Sequence, residues 1–317
     1  MAVAGTAVEV LLNGLQQGAI FALLGIGLTI ILGAMKFLNL AHGALYLLGG
    51  YAGMYVIRET RLSDGLLFSG GTTEFGLGLG FAAALILVPL FGFVIGLLME
   101  HFVAEPFYDR PETDQLLVTF GLALIVQELV KRIVGGNTFQ PAAPREVLGF
   151  SVGGPIVLPV IGAYPQWRLY LIGIALVVIL LTYLIIEKTD FGLVVQAGTR
   201  DSEMVRLLGI KINRSYSFVF ALGAALAAFA GLIGVSFQTI SPQIGTEQAL
   251  IPAFLVLVVG GAGSVIGAIV GGFVLGITLA TMTVLNPQWS QIVLYAVAAL
   301  VLLVRPEGLF GSEEVGA

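Results

Sequence analysis

"ALIPAFLVLVVGGAGSVIGAIVGGFVLGITLATMTVL", residues 249–285, carries no charged side chain from end to end. A bilayer core about 30 Å thick takes roughly 20 residues of α-helix per crossing, so this run suits that medium and is too long to cross it once. Gly260, Gly261 and Gly263 interrupt it. The reading is a short helix, Ala249–Val259, followed by a full crossing, Ser264–Leu285. Irregular backbone at membrane depth is tolerated only where protein buries it or where it lines a wet cavity. The glycine break is therefore either a broken helix aiming free backbone groups into a solute path or a plain hairpin turn at the membrane surface.

The rest of the chain has the same character. Of 317 residues, 58% are hydrophobic and only 10% charged, against about a quarter charged in soluble proteins, and the mean hydropathy is +1.02. Further apolar runs mark crossings at Ala7–Leu32, Phe37–Ile57, Gly76–Met99, Gln115–Val134, Arg168–Ile186, Tyr216–Gln238 and Trp289–Val304. The expected fold is an all-α polytopic integral membrane protein in the lipid bilayer. It is one domain, residues 1–317, with eight full transmembrane helices plus the short broken one. The first ten residues lack the positive stretch that opens a signal peptide, so Ala7–Leu32 reads as a retained helix. A net charge of -5 with no basic tract argues against nucleic acid. Without cysteine, disulfides and thiolate chemistry are excluded. Small residues recur every fourth position, as at Gly49 and Gly53 or Gly92 and Gly96, which reads as close helix packing.

The densest positive cluster, Lys188, Arg200, Arg206, Lys211 and Arg214, lies in the loop Glu187–Arg214, and the positive-inside rule assigns that loop to the cytoplasm. Alternation then puts the N-terminus outside and, if the short Ala249 segment counts as a crossing, the tail from Arg305 inside. Lys131, Arg132, Arg145 and Arg168 flank a loop that this scheme places outside. Within the cytoplasmic loop, Arg200–Leu208 can form a helix with Met204, Leu207 and Leu208 in one apolar stripe. Glu203 and Arg206 pair at i,i+3, and Gly209 stands at the C-terminal cap. Such a helix is either an ordinary connection or a ridge that docks in a partner's groove.

"AGTRDSEMVRLLGI", residues 197–210, resembles the coupling loop of ABC-importer permeases of the branched-chain amino acid transport family. "GLQQGAIFALLGIGLTIILGAMKFLNLAHGALYLLGGY" (14–51), with its Asn-x-Ala-His-Gly signature, resembles that family's first two helices. "RPETDQLLVTFGLALIVQELV" (110–130) is similar to its fourth, and "GGAGSVIGAIVGGFVLG" (260–276) with "VRPEGLFG" (304–311) to its C-terminal part. Gln196 departs from a commonly basic position and Val205 from a usually small one. The resemblance implies a permease half that pairs with a second related permease, two cytosolic ABC ATPase subunits and an extracytoplasmic solute-binding protein. It also implies that Ala197, Arg200, Asp201, Glu203, Met204, Arg206, Leu207, Leu208, Gly209 and Ile210 couple to the ATPases. ATP and Mg would be bound by those partners, and this chain, which has no G-x-x-x-x-G-K-[ST] loop, would bind no cofactor and catalyse no reaction. The implied cargo is a branched-chain or related small amino acid, or, in relatives, urea or a short amide. The alternative class, a secondary transporter or channel, would require an inverted repeat and paired intramembrane charges.

The same motif raises the role of Asn39 and His42. Three residues apart, they are expected on one face of a helix starting at Phe37, near its inner end. There they either line the translocation route or are satisfied structurally, the imidazole by a carbonyl or by Asn39. Gln16 and Gln127 are further pathway candidates, as are Gly260, Gly261 and Gly263. His101, with Glu100 and Glu105 nearby, reads as solvated surface, and neither catalytic nor metal-binding residues are expected. Residues 135–167, rich in Gly and Pro, are expected to form irregular structure over the outer face.

Overall fold

The computed structural model describes residues 2–62, 64–68, 74–147, 149–159, 161–200, 202–210 and 212–311, with side chains omitted at 2–4, 199, 200, 202, 203 and 206. Helix α1, Ala2–Met35, is followed after a break by α2, His42–Ile57. A two-residue hairpin pairs β1, Thr60–Arg61, with β2, Glu74–Phe75. Helix α3, Gly80–Met99, runs on into a π-turn at Glu100–Ala104 and a 3-10 turn at Glu105–Phe107. Next is α4, Glu112–Val134. Two antiparallel hairpins follow, β3 (Glu146–Val147) with β4 (Phe150–Ser151) and β5 (Pro155–Leu158) with β6 (Gly162–Pro165). Then come α5, Gln166–Lys188, α6, Asp190–Arg200, α7, Ser202–Leu207, and α8, Ile212–Gly234. A π-turn at Gly245–Leu250 leads into α9, Ile251–Gly260, and the chain continues with α10, Val265–Leu285, and α11, Ser290–Val304.

Six of the described helices are long and apolar enough to cross a membrane. The chain is a multi-pass membrane protein. α1 and α8 form its interior: α1 packs against α10, α8 and α9, while α8 also packs against α2 and α3. α3, α5 and α11 lie outside, with apolar side chains such as Ile86, Leu90, Val177, Leu180 and Leu303 exposed, as lipid-facing helices require. The small-residue spacing has the expected consequence. A Cβ on Gly92 would come 2.5 Å from Ala228 Cβ and one on Gly96 2.6 Å from Ala224 Cβ, so these glycines set the α3–α8 separation.

The chain departs from the sequence reading in four places. First, α2 begins at His42 and not at Phe37. Lys36 takes a left-handed φ of 51°, and the Asn39 side chain accepts the Ala41 N–H at 3.0 Å, a local bond that competes with helix. Asn39 therefore precedes the helix and shares no helical face with His42. Second, the described fold is not purely helical, because residues 135–167 include the two hairpins and Phe139 bridges to Ile240. Third, a helix the sequence reading did not expect, α6, Asp190–Arg200, precedes α7, Ser202–Leu207, the described part of the helix expected at Arg200–Leu208. Fourth, the two helices expected from Phe37 and Gln115 are not among the six long apolar ones. α2 has 16 residues, and α4 carries Glu112, Asp114, Glu128, Lys131 and Arg132.

Candidate functional site

Residues 190–210 build a surface at one end of the bundle. α7 ends in a Schellman cap, with Gly209 at φ 82° and Ile210 N–H donating to Val205 C=O at 3.4 Å, the arrangement the Gly-Ile ending encodes. The cap fixes which side chains point outward. Val205 is buried, while Leu207, Leu208 and Met204 are 76%, 72% and 53% exposed. Leu193 on α6 and Ile210 are exposed as well. Ala197 is also exposed. Asp201 lies outside the described residues, as do the side chains of Arg200, Glu203 and Arg206. The apolar stripe read from the sequence is thus an exposed ridge, and Lys36, also exposed, directly follows Met35, which packs on the Val205 core behind it.

Val205 anchors this surface. With Ile212 and Tyr216 it forms a small core separate from the main one, packed against by Met35, the last residue of α1, and by Tyr108. Tyr108 donates a hydrogen bond to the buried Glu100 carboxylate. Burial first, and that bond second, hold its phenol well above the ordinary tyrosine range.

The second feature is the break between α1 and α2. His42 Nε2 lies 3.1 Å from the Leu24 carbonyl oxygen, so Nε2 carries the proton in this contact. Leu24 stands eleven residues before Met35, about 16 Å along α1 at 1.5 Å per residue. α2 therefore starts well back along α1 from the end of that helix. The chain turns back at Lys36 and re-enters. Two of its backbone donors are satisfied by α4: Leu38 N–H donates to Gln115 Oε1 at 3.4 Å and Leu40 N–H to Thr119 Oγ1 at 3.1 Å. Asn39 and His42 are both fully buried. The other imidazole nitrogen, Nδ1, has no hydrogen-bond partner among the described residues.

The remaining candidates separate. Gln127 joins the break: its Oε1 accepts from the Thr246 hydroxyl at 3.0 Å, and the two line a narrow crevice with Gly43, Ala123 and Gly245 between α2, α4 and the Gly245–Leu250 turn. Gln16 does not join it. It is buried in α1 eight residues before Leu24, about 12 Å away along the axis. Gly260, Gly261 and Gly263 form a turn at the end that carries residues 202–210, where Gly263 meets Gly33. Leu309 and Phe310 N–H groups cap the Val259 and Gly260 carbonyls there at 2.8 and 3.0 Å. Irregular backbone also occurs at residues 36–41 and in the π-turn before α9. Sequence reasoning missed Thr246, Gln115 and Tyr108. Gln115 and Thr119, one turn apart on α4, were the available signal.

An apolar cavity of about 210 Å³ between α2, α3 and α4, lined by Ala44, Leu45, Ile95, Met99, Leu122 and Val126, offers no polar side chain to orient a solute. His101 and Glu105 pair at 3.0 Å on the surface, exposed. Glu128 pairs with Lys131 and Arg132 at 4.0 and 3.4 Å, all exposed, and such pairs contribute little.

Residues 10–302 match the family model described as branched-chain amino acid transport system / permease component. The chain is 33% identical over 310 residues to the high-affinity branched-chain amino acid transport system permease protein BraD of Pseudomonas aeruginosa, covering 96% of each chain. It is 30% identical over 311 residues to LivH of Escherichia coli K12, a protein of the same description, covering 96% of this chain and 95% of LivH. To the LivM permease of Salmonella typhimurium it is 27% identical over 311 residues, covering 92% of this chain and 67% of LivM. No solved structure matches the chain.

Proposed function

Because the chain belongs to the family of branched-chain amino acid transport system permease components, we propose that it is the permease subunit of an ABC importer for branched-chain or related small amino acids. In this reading residues 187–214 are cytoplasmic, the N-terminus is outside and the C-terminus inside. A second, LivM-like permease pairs with it, two cytosolic ATPases grip the 202–210 segment, and an external binding protein delivers cargo. Hydrolysis, with ATP and Mg, belongs to the ATPases, and this chain converts it into alternating access. The observation that carries the reading is the apolar ridge of Met204, Leu207 and Leu208, held outward by the Gly209 cap at the end of a membrane bundle. Exposed apolar side chains in water mark a surface meant for a partner. Orientation is supported by Lys36 and the Arg305–Gly311 segment, which share that end.

The lack of cysteine makes a direct test clean. Met204→Cys, treated with a short bifunctional crosslinker in native vesicles, is expected to capture a subunit that hydrolyses ATP. Failure to capture one, or passage of leucine through the purified chain unaided, would end the reading. The cargo is checked by competition of leucine, valine, urea and acetamide for uptake by the full complex.

Cargo would pass along the face bearing Gln127 and Thr246, with Asn39 and His42 holding the break behind it. His42→Gln places an amide nitrogen where Nε2 stands and forfeits Nδ1, so it preserves the bond to Leu24. Uptake by this variant is expected to stay within about twofold of the parent, since a retained buried bond costs little. A larger drop with normal assembly would move the route to His42 itself.

A further inference from the structure

A short chain of contacts joins the docking ridge to the break between α1 and α2. Val205, behind the ridge, packs with Ile212 and Tyr216. The Tyr216 ring meets Tyr108 edge-on at 6.0 Å and 81°, and Tyr108 meets Phe37, the second residue of the break, at 6.0 Å and 83°. A second strand of contacts runs beside the first. The Gln115 amide nitrogen donates to the carbonyls of Phe107 and Arg110, each at 3.2 Å, while its oxygen accepts from Leu38 N–H. Gln115 is almost completely buried, so one side chain ties the turn carrying Tyr108 to the backbone of the break.

We infer that Tyr108 and Gln115 are positioning residues that carry movement of the 202–210 segment to residues 36–41, resting on the reading of 202–210 as the ATPase dock. Coupling between sites requires an element with two arrangements, not mere spatial intermediacy. Residues 36–41 take that role in this proposal. They join two helices and begin at a non-glycine residue in the left-handed region, which L-residues rarely adopt. They are held there by side chains of another helix, Gln115 and Thr119. Displacing the Phe107–Arg110 turn pulls on Gln115 and presses Tyr108 on Phe37. The held conformation loses its support, and the start of α2, with Gly43 against Gly245, is freed to shift. The adjoining π-turn at Glu100–Ala104 supplies the compliance, since such turns interrupt the regular helix ladder.

The test uses the assembled transporter, with both permeases, ATPases and binding protein, in proteoliposomes. Gln115→Leu removes all three bonds, and ATP hydrolysed per leucine imported is expected to rise about fivefold or more, the lower range of allosteric couplings. Gln115→Glu, which keeps an acceptor for Leu38 and loses both donors, gives the same reading where the leucine variant does not assemble. Tyr108→Phe keeps both ring contacts and should couple normally, whereas Tyr108→Ala should not. Hydrogen exchange of the peptide covering residues 36–41 is expected to differ between nucleotide-free and ATP-bound parent and to lose that difference in Gln115→Leu. An unchanged coupling ratio in Gln115→Leu and Tyr108→Ala, with exchange still responding to ATP, overturns the inference. Loss of dock function is separable, because a Leu208→Glu complex reports on the ridge alone.

Discussion

Leu208→Glu is expected to abolish cargo-stimulated ATP turnover of the reconstituted complex while the chain inserts and assembles as before. Leu208 is 72% exposed and follows the last turn of α7, so glutamate there costs the folded permease almost nothing. In a docked state the same carboxylate would be desolvated in an apolar groove. Loss of an anchoring side chain in an interface costs about 2 kcal/mol or more, roughly a thirtyfold weaker dock, and an unpaired buried charge adds to that. Gly209→Val reaches the same end by another route. A β-branched residue at φ 82° is strained, so the cap opens and the ridge loses its orientation. The measurement is the ratio of ATPase rates with and without loaded binding protein. A ratio equal to that of the parent in both variants would show that the ridge is not the dock.

What the sequence disclosed depended on how local the cause was. The exposed apolar ridge was legible because its determinants, the Met204, Leu207 and Leu208 spacing and the Gly209 cap, lie within two helical turns. The start of α10 was legible for the same reason: Ser264 caps it by accepting the Gly267 N–H at 3.0 Å. The break at Lys36–Ala41 was not. Phe37, Leu38 and Leu40 continue an apolar run, and what holds them out of a helix is supplied by Gln115 and Thr119, 77 and 79 residues further on. Residues 260–263 show the complementary failure. Their glycines announced a turn, but its depth follows from Gly33 and the Leu309–Phe310 segment packing against it. The hairpins after α4 escaped because strands of two to four residues are defined by their partners and not by alternation.

The largest loss of stability is expected from the smallest change at Gly49. A Cβ built there would overlap the carbonyl oxygen and Cα of Ala228 on α8. Backbone cannot yield as a flexible side chain can, so α2 and α8 must move apart along a contact that organises the interior. Overpacking of this kind costs about 3 kcal/mol or more. In a bundle whose helices associate by close van der Waals contact, without a hydrophobic drive between them, that is enough to open the pair. Gly49→Ala should therefore show a lower melting temperature in detergent and a reduced yield of assembled complex. The control is Gly121→Ala on α4, where a Cβ would find nothing within 4 Å. Alanine is favoured over glycine by about 1 kcal/mol within a helix, so that variant should be as stable as the parent or more so. Equal melting of Gly49→Ala and Gly121→Ala would mean that α2 and α8 do not meet at this glycine.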